Sequence, residues 1–255
     1  NIFNTTDSNQ DSFLLVQLSL VNYILYSGAG DPRKNIKSLL HAYSQLNRDL
    51  LLKYKLVFAG NLLIPEINLI NIWIKKFNIS QDNVLLLGYV SDDQLAMLYR
   101  KCSLFVFPSL HEGFGLPVLE AMSCGAPVIA SNLTSIPEIV ISEKAMFNPK
   151  NILEMTNMID KSLTNDQFRS FLLENSKLQS KRFSWSNTAC LAVRACQEIS
   201  NSSQISNEHL NWDHYAEKKN MKLNRLLEYI SNNYLISKNI DGKMINKISA
   251  SIDLI

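Results

Sequence analysis

Cysteine is sparse: four residues in 255, at positions 102, 124, 190 and 196, form no C-x-x-C pair and no spaced array with the four histidines. That removes the pattern of a structural zinc site and points to a reduced, intracellular compartment. An excess of charge of one sign is also lacking. Lys and Arg number 25 against 23 Asp and Glu, a net charge of +2, which does not describe the concentrated basic face of a dedicated nucleic-acid binder. The longest apolar stretch, residues 13–26, is interrupted by Gln17, Ser19, Asn22 and Tyr23 and is too short to span a bilayer. It has neither a basic leader nor a small-residue cleavage site, so it is not read as a signal peptide. No heptad or internal repeat is sustained, and no Asp-x-Asp cluster is present.

What the chain does have is alternation. A composition of 46% hydrophobic and 19% charged residues is that of an ordinary globular protein, long enough for one sizeable core. After a polar opening, short runs rich in β-branched and aromatic residues recur at 23–26, 55–59, 84–87, 104–107 and 127–130. Amphipathic stretches at 35–48, 66–77, 92–101 and 117–123 separate them. Strand and helix at this spacing predict right-handed crossovers and an α/β fold, a Rossmann-like parallel sheet flanked by helices. Further helices are expected at 152–163, 167–181 and 186–199, and a helical stretch at 212–232 beyond a polar linker. The domain reading is therefore a leader and connecting segment over 1–20, a Rossmann-like domain over 21–200, and a linker with a helical extension over 201–255.

Several boundaries carry their own signals. Ser91 before Asp92-Asp93-Gln94 is a helix cap with acidic residues in the first turn. Pro117 suits the first position of the next helix, and Cys124-Gly125-Ala126-Pro127 supplies the stop after it. In an open parallel sheet, ligands bind beyond the carboxyl ends of the strands. Each run here ends in a loop suited to that edge, and five loops are expected to converge on one rim.

One of those loops stands out: Ser109-Leu110-His111-Glu112-Gly113-Phe114-Gly115-Leu116-Pro117-Val118-Leu119-Glu120. It sets two carboxylates seven intervening residues apart, one in a glycine-containing loop and one in the first turn of a predicted helix. Gly113 and Gly115 allow close backbone approach, and the helix start offers free amides and partial positive charge, a combination suited to phosphate or sugar oxygens. Glu120 can accept two hydrogen bonds from a vicinal diol, while Glu112 would face the other end of the same ligand. Spacing alone equally describes a solvated loop residue and a helix-stabilising acid; the surrounding E-G-F-G-L-P-x-x-E followed by A-M-x-x-G-x-P-V-I-A is what adds specificity.

Residues 112–130, preceded by Leu104-Phe105-Val106-Phe107-Pro108-Ser109, closely resemble the donor-binding motif of retaining glycosyltransferases of family 4, which have the GT-B fold. Tyr26-Ser27-Gly28 with Asp31-Pro32-Arg33-Lys34-Asn35 looks like that family's phosphate loop. Leu56-Val57-Phe58-Ala59-Gly60, residues 84–90 and Ile136-Pro137-Glu138 match further segments in order, so the resemblance runs from about Tyr23 to Ala195. It implies that the chain is the carboxyl-terminal, nucleotide-sugar donor-binding half of a GT-B enzyme, a hexosyltransferase retaining anomeric configuration.

The resemblance also implies roles. Lys34, with an arginine, would neutralise the departing diphosphate; the family's arginine after the glycine is Ala29 here, and Arg33 is the substitute on offer. Gly28 belongs to the phosphate loop, and Gly60 is counted with the donor-binding residues, with simply ending its strand as the alternative. Gly88, Tyr89 and Val90 would hold the nucleobase, with Tyr89 either stacking on it or covering the sheet end. Gly113, Phe114, Gly115 and Leu116 would cradle the donor, Glu120 hold its ribose, and Glu112 position and polarise its sugar, with a nucleophilic role as the alternative. His111 is read as a bystander. The leaving diphosphate would take the acceptor's proton on the same face. No cofactor and no metal is expected beyond the substrate itself, a UDP- or GDP-sugar. The expected partners are that donor and a glycan or lipid-linked acceptor bound through an amino-terminal domain this chain does not contain, with no nucleic acid. A cytoplasmic location is expected, the full protein associating peripherally with the inner face of the membrane in polysaccharide or glycan biosynthesis. The competing reading is a non-catalytic GT-B module for nucleotide-sugar binding or assembly; a GT-B epimerase or phosphorylase fits the loop less closely.

Overall fold

The computed structural model describes residues 21–201. These fall into two units, one ending at Thr188 and one beginning at Ala189, and the sheet lies wholly in the first. The leader over 1–20 and the helical stretch at 212–232 lie outside the described residues, as does the rest of the extension beyond 201.

Six strands form the sheet: β1 (Asn22–Ser27), β2 (Tyr54–Ala59), β3 (Val84–Gly88), β4 (Leu104–Phe107), β5 (Val128–Ser131) and β6 (Met146–Phe147). Their order is β3-β2-β1-β4-β5-β6, and every pair is parallel. Covered on both faces, such strands need apolar side chains at successive positions. Accordingly β4, Leu104-Phe105-Val106-Phe107, is fully buried along its length, as are Ile24, Leu25, Leu56 and Val57 in the strands beside it. Each of these large side chains contributes about 1.5–3 kcal/mol by leaving water.

The helices of the described part are α1 (Ile36–Ser44), α2 (Arg48–Lys53), α3 (Ile64–Lys76), α4 (Asp92–Lys101), α5 (Leu116–Ser123), α6 (Ile136–Val140), α7 (Ile152–Thr164), α8 (Asp166–Ser180) and α9 (Trp185–Asn201). Among the described residues, no helix is long and apolar enough to cross a membrane. Ser91 caps α4 as expected: its hydroxyl accepts from the Gln94 amide at 3.3 Å, and the Gln94 side chain accepts from the Ser91 amide at 3.0 Å. The stop after α5 is a Schellman turn around Gly125, with the Ala126 amide bonded to Ala121 O and the Gly125 amide to Met122 O, both at 3.0 Å.

Four details differ from the sequence reading. The helix expected over 35–48 stops at Ser44, and a further helix, α2, starts at Arg48, capped by the Asn47 side chain, which accepts from the Leu50 amide at 2.9 Å. Pro117 is the second residue of α5, after Leu116, since Gly115 occupies the cap in a left-handed conformation. Two elements were not expected: β6, whose two residues pair with Ala130 and Ser131 and are too few to show a period, and α6, five residues with Pro137 in the first turn. All four cysteines are free, Cys102 and Cys124 buried and Cys190 and Cys196 exposed.

Candidate active site

The strand order turns at β1 and β4, whose following loops lead to opposite sides of the sheet and open a crevice between them. On one side the carboxyl ends of three strands are stitched together. The Gly28 amide donates to Ala59 O at 2.9 Å, and the Gly60 amide donates to Gly88 O at 2.8 Å. Gly60 has φ +145°, and a Cβ there would collide with the Gly28 carbonyl. The strand ends are therefore bare backbone where a ligand can approach closely.

Past Gly28 the chain makes one tight turn, Pro32–Lys34, capped by Asp31 through the Arg33 amide at 2.8 Å. Asn35 ends it at φ +60°, a left-handed conformation that asparagine tolerates. Its side-chain amide reaches Pro108 O at 3.1 Å and Pro149 O at 2.9 Å, and Arg33 O accepts from the Leu110 amide at 2.7 Å. The loop after β1 is thus pinned to the loop after β4.

That clamp brings Lys34 to Glu112. Nζ lies 2.7 Å from Oε1, the side chains being 20% and 14% exposed. Ser109 Oγ donates to the same carboxylate oxygen at 2.6 Å, and Lys34 stands over the Phe107 ring, 5.4 Å from its centroid. The Glu112 backbone is held as well, its amide donating to Thr134 Oγ1 at 3.1 Å while its carbonyl faces Ser135 Oγ, also at 3.1 Å. Thr134 sits at φ +55°, a conformation that costs a β-branched residue on the order of 1–3 kcal/mol. The bond from the Glu112 amide to its hydroxyl helps to hold it there.

Arg33 is not brought to this pair. Its guanidinium grips Asp31 at 3.0 and 2.9 Å, with 64% of its side chain exposed. Arg33 donates from side chain and backbone to the Asp31 carboxyl and holds it down to about 2; the same bond pushes the guanidinium upward. An exposed pair of this kind is screened by solvent and opens at little cost.

Glu120 meets different surroundings. It is the fifth residue of α5, in the second turn rather than the first, so it does not cap the helix start. Its Oε2 accepts from the Tyr99 hydroxyl at 3.2 Å, and Tyr99 in turn lies 2.7 Å from Ser27 Oγ. Burial pushes the Glu120 carboxyl up, the Tyr99 bond opposes that rise, and the Asp92 charge adds to it. Gly115, at φ +110°, would carry a Cβ 2.5 Å from Ile136 Cδ1. Phe114, Leu116, Leu119 and Glu120 line a cavity of about 290 Å³ with Phe183 and Trp185, where the Phe114 and Phe183 rings meet edge to face at 5.6 Å.

Of the remaining predicted residues, Tyr89 is 80% exposed at the end of β3 and Val90 beside it is buried; Gly88 turns at φ +70°. Gly113 and His111 are exposed in the loop. The sequence reading gave no role to Ser109, Tyr99, Ser27, Asn35 or Thr134. Ser27 ends buried β1 and Ser109 follows β4 after Pro108, both hydroxyls at the close of apolar runs, which is the available signal; the bond from Tyr99 to Glu120 spans 21 positions and leaves none.

A six-stranded parallel sheet in this order, flanked by helices, is the architecture of a GT-B glycosyltransferase domain. The chain belongs to the family described as glycosyl transferases group 1, whose pattern matches residues 19–179. It is 42% identical over 182 residues to a serotype-specific mannosyltransferase WbdA of Escherichia coli, covering 71% of this chain and 22% of that protein. It is 38% identical to O-antigen chain mannosyltransferase B of Escherichia coli, covering 70% of this chain and 46% of that one. The chain therefore spans about a fifth to a half of the length of these relatives. Among solved structures, sucrose-phosphate synthase from Thermosynechococcus elongatus aligns with a TM-score of 0.67 at 26% identity, over 79% of this chain and 51% of that one. HepE from Anabaena, in complex with UDP and glucose, also gives 0.67 at 22% identity, over 78% and 54%, and shows the fold alone.

Proposed function

We propose that this chain is the donor-binding domain of a retaining family 4 mannosyltransferase that uses a nucleoside diphosphate sugar to build a surface polysaccharide. The observation that carries the reading is the Lys34–Glu112 pair at the switch point, 2.7 Å apart and backed by Ser109. Mannose as the sugar is supported by the two O-antigen-type mannosyltransferases that share 42% and 38% identity with the chain.

In this reading the diphosphate lies along the bare backbone at Gly28 and Gly60. Lys34 exchanges its carboxylate partner for phosphate oxygens, and Arg33 can turn from Asp31 to join it. Glu112, released from the ammonium but still held by Ser109, addresses the sugar. Gly113, Phe114, Gly115 and Leu116 border it, Glu120 accepts from the ribose hydroxyls, and residues 88–90 read the base. The acceptor hydroxyl attacks the anomeric carbon on the face the diphosphate leaves. The new glycosidic bond forms as the carbon–phosphate oxygen bond breaks, and the acceptor's proton passes to the departing phosphate oxygen. Lys34 stabilises negative charge where it develops, which is the most effective place for a fixed cation. This balance requires no metal. The reading includes a cytoplasmic working side and an acceptor bound by a domain beyond this chain.

Calorimetric titration of UDP, GDP and ADP into the chain tests the reading. One of the three is expected to bind, and Lys34→Ala to weaken it; a folded chain that binds none overturns the proposal. Mannosyl transfer by the full-length protein, absent in a non-catalytic module, tests the activity.

A further inference from the structure

Tyr99 is wholly buried at the end of α4, and the reaction sketched above gives it no part. Its ring meets Phe105 edge-on at 5.2 Å, while its hydroxyl lies between Ser27 Oγ at 2.7 Å and Glu120 Oε2 at 3.2 Å. A phenol has one hydrogen and an ionised carboxylate can only accept, so Tyr99 donates to Glu120 and accepts from Ser27. Ser27 is the last residue of β1, next to Gly28. The chain of hydroxyls therefore runs from the strand that enters the phosphate loop, through the buried ring, to the acid on α5.

We infer that Tyr99 is a positioning residue for donor recognition: it fixes the Glu120 carboxylate against the ribose and ties it to the end of the strand that bears the phosphate loop. This rests on the donor-domain reading above. Burial drives Glu120 toward its neutral form, whereas the Tyr99 hydrogen bond favours the ionised form. A carboxylic acid would present one donor and fewer acceptor sites to a vicinal diol; a carboxylate presents acceptors only. The same bond both favours the ionised form and directs the group, tying α5 through Tyr99 to the end of β1. Phenylalanine at 99 keeps the ring packing and removes only the hydroxyl.

The test compares a ligand with and without the hydroxyl that Glu120 addresses. UDP, GDP and ADP, and the 2′-deoxy form of whichever binds, are titrated into the wild-type chain and into Tyr99→Phe. The variant is expected to weaken the ribonucleotide about tenfold and the 2′-deoxy nucleotide by less than about twofold, since that ligand has already lost the bond. Repeated across pH, ribonucleotide binding should fail at a higher pH in Tyr99→Phe than in wild type, because the bond that lowers the Glu120 pKa is gone. Ser27→Ala, which leaves the Tyr99–Glu120 bond in place, should show a smaller loss of the same kind and decides the matter if Tyr99→Phe does not fold. Equal losses for both ligands, or no loss for either, overturn the inference while leaving the donor-domain reading intact. Wild-type protein that binds no nucleotide overturns both.

Discussion

Glu112 and Glu120 lie in one short stretch of sequence, yet the fold gives them opposite company. Glu112 is paired with an ammonium at 2.7 Å and takes a serine hydroxyl on the same oxygen. Glu120 instead accepts from a buried tyrosine, and burial raises its pKa. The difference arises because one acid sits in the loop clamped to the Lys34 turn and the other a full turn into α5. On the proposed function, these two surroundings would fit two like side chains at one crevice to separate tasks, one beside the charge of a leaving group and one against the neutral hydroxyls of a ribose.

The largest expected effect comes from the charged side of that comparison. Glu112→Gln should lower mannosyl transfer by the full-length protein by about 10³-fold, the scale seen when one preorganised electrostatic group is removed from a transition state. Steady-state kinetics check this, and a loss of less than tenfold would reduce Glu112 to a loop residue. Lys34→Ala should weaken nucleoside diphosphate binding by about 2–3 kcal/mol, the worth of a hydrogen bond to a charged group. Calorimetry with the matching nucleoside, which has no phosphate, should show no such change.

A third prediction concerns the scaffold beneath both acids. Gly60→Ala must place a Cβ against the Gly28 carbonyl at φ +145°, and a cost of about 1–3 kcal/mol in unfolding free energy is expected, read by denaturant titration. The smallest effect is on the Glu120 side. A carboxyl with a raised folded pKa binds more protons folded than unfolded between its unfolded and folded pKa values, so stability falls as pH rises through that window and stays lowered above it. Glu120→Gln removes the penalty, since Tyr99 can still donate to the amide oxygen. The variant should therefore melt slightly higher than wild type near neutral pH, with the difference vanishing in acid; thermal unfolding at two pH values checks this.

The sheet was legible because its strands are buried on both faces and appear as unbroken apolar runs, Leu104-Phe105-Val106-Phe107 being the clearest. Caps such as Ser91 with Gln94 were legible for a different reason, their partners lying three residues apart in the chain. Short elements were not: Met146–Phe147 is a strand only because β5 lies beside it. At the site, the stretch from Ser109 to Glu120 and the Lys34 turn could be found from local pattern and family resemblance. The contacts that set their roles could not. Nothing local shows that Lys34 reaches Glu112 across 78 positions or that Tyr99 reaches Glu120 from another helix. The first is a product of the strand order, which brings the loops after β1 and β4 together, and the second of the packing of neighbouring helices.

The division of labour between the two acids is tested most directly by nucleoside diphosphate affinity in Glu112→Gln and Glu120→Gln, measured side by side by calorimetry. Binding should be undiminished in Glu112→Gln, where Lys34 has lost a competing carboxylate, and weaker by about tenfold in Glu120→Gln, where the ribose loses a charged acceptor. Equal loss of affinity in the two variants would contradict the account.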